Sequence, residues 1–176
     1  LSLLSSVKSD TLLTHSHPDA NDASLAFART LFYLINGSTP EEAHQKTLEQ
    51  AESKLIQSIL KSAVNRSVPV AISDGSESRG DDTHIGYLGV AMQIAYNLLL
   101  HSPSFEEGLL SAISIGGDTD TNGCITAALL GARFGFESIP EYWVKSVEKG
   151  PLRLQGENGI NSFQQLIEGV RKRYEN

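Results

Sequence analysis

The sequence predicts an all-α fold, a helical bundle. Apolar residues recur at three- and four-residue steps along most of the chain, capping residues stand in front of several of these segments, and no stretch makes a defensible strand. With 176 residues, 40% of them hydrophobic, the chain is long enough for one domain with a real core. It is read as a single α-helical domain over residues 1–176.

The first long helix is expected over residues 20–36. Ala23, Ala26, Phe27, Thr30, Leu31 and Leu34 form its apolar face, and Gly37 ends it. Thr39-Pro40-Glu41-Glu42 starts the next helix, with a capping hydroxyl, a proline at the first helical position and a glutamate at the third. That helix is expected to reach residue 64, burying Ala43, Leu48, Ala51, Leu55, Ile59 and Ala63. Residues 65–83 lack periodicity, and 74–82 read as a loop by composition. A helix over 86–101 is apolar almost all round, which predicts a central position. Ser104-Phe105-Glu106-Glu107 is a second capping box and opens a helix to residue 115. An acidic loop follows, then a helix over 121–134. Gly123, Ala127, Gly131 and Gly135 stand on it at four-residue steps, a stripe that predicts tight packing in the core. Ile139-Pro140 starts a short helix, 148–159 read as loop, and 161–174 form a last amphipathic helix.

The formal net charge is −7 and the pI about 5.2. This argues against nucleic acid or an anionic membrane as the main partner, although a bound cation can reverse the local sign for a nucleotide-like ligand. The lone cysteine, Cys124, allows no intrachain disulfide and fits a reducing, cytoplasmic setting. Its apolar surroundings in sequence predict an inert core residue. No apolar run approaches the roughly 18 residues of a membrane span. The first residues show no signal-peptide pattern, lack a starting Met and enter apolar at once, as though the chain begins inside a domain.

The segment Gly116-Gly117-Asp118-Thr119-Asp120-Thr121-Asn122 carries the most chemistry. Its carboxylates stand two residues apart and repel unless a cation or proton neutralises them. With the Thr121 hydroxyl they form a hard-oxygen donor set suited to Mg²⁺, Mn²⁺ or Ca²⁺. The same letters also suit a helix N-cap. Thr14-His15-Ser16-His17-Pro18-Asp19 places two histidines before a helix start. They lack the companions a zinc site needs, and either hydrogen-bond locally while Pro18 and Asp19 start the helix, or contact a ligand hydroxyl or phosphate. Asp81-Asp82-Thr83 reads as solvated acids and a cap ahead of Ile85, Gly86 and Tyr87. The sequence holds no Walker phosphate loop, dinucleotide fingerprint or nucleophile elbow.

Taken together these segments resemble the ADP-ribosylglycohydrolase family. The likeness rests on Thr14-His15 with Pro18, His84-Ile85-Gly86-Tyr87 leading into Ala91-Met92, Ser104-Phe105-Glu106-Glu107-Gly108, and the block from Gly116 to Asn122. Leu130-Gly131-Ala132 with Gly135, and Ile139-Pro140 with Trp143, complete it. The resemblance implies an all-α fold with a two-Mg²⁺ centre, Mn²⁺ being an alternative, and cleavage of the bond between ADP-ribose and a modified protein side chain or small acceptor. It places Asp118, Asp120 and Thr121 as metal ligands and His15 as a contact to ADP-ribose. Gly116 and Gly117 would shape the loop beside the metals, and Ile85 or Tyr87 would line the nucleotide pocket. The family's N-terminal ligand cluster and diphosphate loop do not stand in this chain, which implies a C-terminal portion whose partner is its own N-terminal segment. Two further expectations follow: a non-catalytic ADP-ribose-binding or structural module on the same scaffold, or a single cation that only stabilises a capped helix.

Overall fold

A computed structural model describes residues 2–65 and 86–148, together with Glu168 and Lys172. By contact the chain divides into two compact units, Leu1–Ser138 and Ile139–Asn176. The described residues are helical throughout their regular structure, without a strand, as the periodicity predicts.

The first unit opens with α1 (Leu3–Thr11), a helix the periodicity does not announce. Ser2 caps it, its side chain accepting the Ser5 N–H at 3.3 Å. None of its residues is fully buried, so the apolar stripe is too thin to read. It packs against α2 (Pro18–Ile35). His17 caps α2 by accepting the Asp19 N–H at 3.2 Å, with Pro18 next in the first turn. Asp22, Ala26, Thr30 and Leu34, at steps of four, are its buried row. At its end the Gly37 N–H reaches the Leu34 carbonyl and the Ser38 N–H the Tyr33 carbonyl, a Schellman pattern around Gly37 at φ 87°.

The capping box of α3 (Pro40–Gln50) is complete: the Glu42 N–H donates to Thr39 Oγ1 at 3.2 Å and the Thr39 N–H to Glu42 Oε2 at 3.0 Å. The expected continuous helix to residue 64 is corrected here. It breaks at Ala51, which is extended at ψ 130°, and restarts as α4 (Lys54–Ser62). The buried Asp22 carboxylate explains the break. Its Oδ2 accepts the N–H groups of Glu52 at 2.9 Å and Ser53 at 2.8 Å. Ser53 donates its hydroxyl to Asp19 Oδ1 at 2.5 Å and caps α4 through the Leu55 N–H at 3.1 Å. Two acids on the first turns of α2 therefore hold the joint between α3 and α4.

Central α5 (Leu88–His101) is buried at every residue from Gly89 to Leu99. Three polar side chains around α5, Thr30, Thr47 and Tyr96, bond to one another. Thr30 donates to the Ala26 carbonyl at 3.0 Å, so the hydroxyls of Thr47 and Tyr96, each 2.9 Å away, donate to Thr30. His44 Nε2 donates to the Leu60 carbonyl at 2.9 Å. Burial lowers the pKa of His44, opposed by that backbone bond. Asn97 and His101 close the end of α4 by donating to the Ala63 carbonyl at 3.2 and 3.1 Å.

Helix α6 (Phe105–Ser114) forms half of the predicted capping box: Ser104 accepts the Glu107 N–H at 3.2 Å, while the Glu107 carboxylate receives the Ser104 hydroxyl at 3.4 Å instead of its backbone N–H. Helix α7 (Thr119–Phe134) begins two residues earlier than predicted, ends at Gly135 (φ 81°) and packs most extensively on α5 and α6. The small-residue stripe faces α6, but not tightly. A Cβ at Gly123 would meet Leu109 at 3.6 Å, and one at Gly131 would meet Phe105 at 3.9 Å. The close approach is at Gly108, where a Cβ would lie 2.5 Å from Leu130 Cδ1 and 2.6 Å from Ser102 Oγ. Cys124 is also corrected: it is exposed, because α7 turns it away from the row Asn122, Thr126, Leu129 and Leu130. A 3-10 turn, Phe136–Ser138, ends the unit.

In the second unit α8 (Glu141–Glu148) carries a Lys145–Glu141 ion pair at 2.6 Å and a Tyr142–Trp143 edge contact. Most of the loop expected over 65–83, the loop over 148–159 and the helix over 161–174 lie outside the described residues.

Candidate active site

Within the first unit, segments far apart in sequence meet around one cavity of about 490 Å³. The loop after α1 contributes His15. The start of α5 contributes Tyr87, and the start of α7 contributes Asp118, Thr121 and Asn122. Apolar wall is added by Ala23 and Phe27 of α2, Leu88, Ala91 and Met92 of α5, and Ile125 of α7. The volume is that of a small-molecule site, roughly 300–1,000 Å³.

Local chemistry explains each placement. His15 Nδ1 is 2.8 Å from the Thr14 hydroxyl, so Nε2 is the ring nitrogen left for a ligand among the described residues. His17 is spent on capping α2, as the local reading of the pair predicts. Tyr87 occupies the N-cap of α5 yet makes no capping bond with its side chain. Burial, and then the negative charge of Asp19, raise its pKa, so it remains a neutral phenol. Gly116 and Gly117 have φ of 87° and 70°, left-handed values that strain any residue with a Cβ. These consecutive turns deliver Asp118 to the N-cap of α7, where Oδ1 accepts the Thr121 N–H at 3.3 Å. The glycines shape the backbone and do not line the cavity.

The Asp118 carboxyl is held below the ordinary carboxylate range, first by a side-chain hydrogen bond shared with Asp120 and then by Thr121. Asp118 and Thr121 stand on the cavity wall, whereas Asp120 is exposed beside them. In donor chemistry the trio fits a hard divalent cation, being two carboxylates and a hydroxyl on one helical turn. No group of three or more His, Cys, Asp or Glu side chains gathers among the described residues.

Four of the predicted residues, His15, Tyr87, Asp118 and Thr121, thus share one wall. Ile85 lies outside the described residues, as do Asp81 and Asp82. Sequence reasoning gave no role to Asn122, which lines the cavity at 2% exposure with its Nδ2 unpartnered. Its signal was available, since it heads the inward row of α7 directly after the acidic pair. The apolar wall was legible as core but not as a cavity lining.

The family model for ADP-ribosylglycohydrolase matches residues 2–175. A protein of Acanthamoeba polyphaga mimivirus called an ADP-ribosyl glycohydrolase is 28% identical over 153 residues, covering 82% of this chain and 45% of its own. The ADP-ribosyl-dinitrogen reductase glycohydrolase of Rhodospirillum rubrum is 24% identical over 136 residues, covering 77% and 40%. The ADP-ribosylhydrolase ARH3 of Mus musculus is 44% identical over 45 residues, covering 26% and 12%. The chain spans less than half the length of these curated relatives. No solved structure matches it. On a match that runs almost from end to end, and with these segments meeting at one cavity, the chain belongs to the ADP-ribosylglycohydrolase family.

Proposed function

We propose that this protein hydrolyses the glycosidic bond between ADP-ribose and a modified protein side chain or small acceptor, releasing ADP-ribose. The observation that carries the reading is the meeting of His15, Tyr87, Asp118 and Thr121 on one cavity in a chain of this family. Asp118, Asp120 and Thr121 would hold Mg²⁺, or Mn²⁺ in its place. When bound, the cation supplies orientation of ribose hydroxyls and stabilisation of charge at the reacting carbon. The remaining roles fall to the chain itself. His15 offers Nε2 to a ligand hydroxyl or phosphate. Tyr87 offers a neutral O–H and an aromatic face. The apolar wall from α2 and α5 takes a ring and excludes water from one side. The reading includes a reducing, cytoplasmic setting, which the single free thiol favours.

The test is release of free ADP-ribose from a panel of ADP-ribosylated proteins and small molecules, first with Mg²⁺ and then with EDTA. Release with Mg²⁺, loss with EDTA and loss in Asp118→Ala or Asp120→Ala are expected. Hydrolysis that ignores both EDTA and these substitutions would refute the metal assignment.

A second reading, a non-catalytic ADP-ribose-binding module, is favoured by one observation. Among the described residues the cavity is lined by a single carboxylate, Asp118, at the start of α7. Saturable ADP-ribose binding with no release from any substrate would establish it.

A further inference from the structure

We propose that Gly89 is a positioning residue of the candidate site: its missing side chain is the seat of the Tyr87 ring, and so fixes where that ring stands on the cavity wall. The proposal rests on the reading of the cavity as an ADP-ribose site. A Cβ built at Gly89 would lie 2.5 Å from Tyr87 Cε1, 2.9 Å from Cζ and 3.1 Å from the phenol oxygen. The ring therefore folds back over its own helix start, onto a residue two positions later that has no side chain. No backbone demand explains this glycine, because its φ is not positive. A glycine inside a helix weakens it, so the space it leaves is the physical reason for its presence. The tyrosine is equally unexplained as a cap, since it makes no capping bond. The two anomalies explain one another once the ring is needed on the wall. The obstructed atoms belong to a side chain with two torsions, so a Cβ at position 89 displaces the ring and leaves the helix in place.

Gly89→Ala, Tyr87→Ala and the double variant, compared with the parent chain, test this by titration calorimetry with ADP-ribose and by thermal melting. Gly89→Ala is expected to weaken ADP-ribose about tenfold, the scale of one lost aromatic contact. In the Tyr87→Ala background the same change is expected to leave affinity unaltered. Equal losses in both backgrounds, or no loss in either, would overturn the proposal. Melting gives an independent arm: alanine is expected to raise the midpoint only where Tyr87 is absent, and additive shifts would overturn the seating. Absence of ADP-ribose binding by the parent chain would refute the functional reading, and the melting cycle alone would then decide whether Gly89 seats Tyr87.

Discussion

Asp22→Ala is expected to destabilise the protein by about 3 kcal/mol, and Asp22→Asn by only about 1 kcal/mol. The buried Asp22 carboxylate places a single oxygen, Oδ2, against two backbone N–H groups, at 2.9 Å from Glu52 and 2.8 Å from Ser53. A hydrogen bond to a charged group contributes about 1.5–3 kcal/mol. Glu52 is exposed and Ser53 half-buried, so water recovers part of the loss in the alanine variant, and the low end of that range applies to each bond. The other oxygen, Oδ1, is buried without a partner. Asparagine can therefore keep its carbonyl oxygen on the two donors and place its amide where Oδ1 stood. It loses the charge and keeps the geometry. Urea unfolding followed by circular dichroism measures both variants, with the slope checked for constancy so that the midpoint shift reports stability. About 3 kcal/mol is a large share of the roughly 5–15 kcal/mol that holds a domain folded. An asparagine variant as damaged as the alanine one, or an alanine variant within about 0.5 kcal/mol of the parent, would refute the argument that this carboxylate holds the α3–α4 joint.

Gly108→Ala is expected to cost about 1–3 kcal/mol by overpacking against Leu130 and Ser102, whereas Gly131→Ala, with only Phe105 at 3.9 Å, is expected to be neutral or stabilising; paired melts compare them. Burial depresses the His44 pKa below its ordinary 6.5, so the unfolded chain binds this proton more readily. The contribution of neutral His44 is thus fully present above pH 6.5 and is lost as pH falls from there towards the lower folded value. A urea midpoint measured against pH is expected to lose that component in His44→Gln, and an unchanged profile would refute it. Cys124 is expected to react in the native protein with a thiol reagent as fast as a model thiol; protection until unfolding would contradict its exposed position on α7.

The helices were legible where periodicity and capping agreed. Thr39 and Glu42 form their box because the signal is local, and the row at Ala26, Thr30 and Leu34 is buried because a helix with one apolar face must cover it. The break at Ala51 was not legible. The stretch suits a helix by composition, and the competing partner for its N–H groups is a carboxylate some thirty residues earlier. The glycine stripe on α7 invited a packing argument that the structure moves to Gly108, because closeness depends on what the opposite helix presents. Cys124 was read from apolar neighbours in sequence, but its place on the helix, one step round from the buried row, sets its exposure.

The sequence by itself determined the chemical types at the site and the turn that presents the acids. Oxygen donors, a histidine before a capped helix and two glycines able to take positive φ are properties of residues and their nearest neighbours. Which of them share a wall was decided by tertiary structure alone. His15, Tyr87 and Asp118 come together because α2, α5 and α7 pack through rows of inward residues, and that packing fixes directions a linear spacing does not contain. The same packing left Asp120 beside the cavity and not on it, and turned Asn122 inward. Local sequence sets what a residue can do, and the angle at which its helix meets the others sets what it faces.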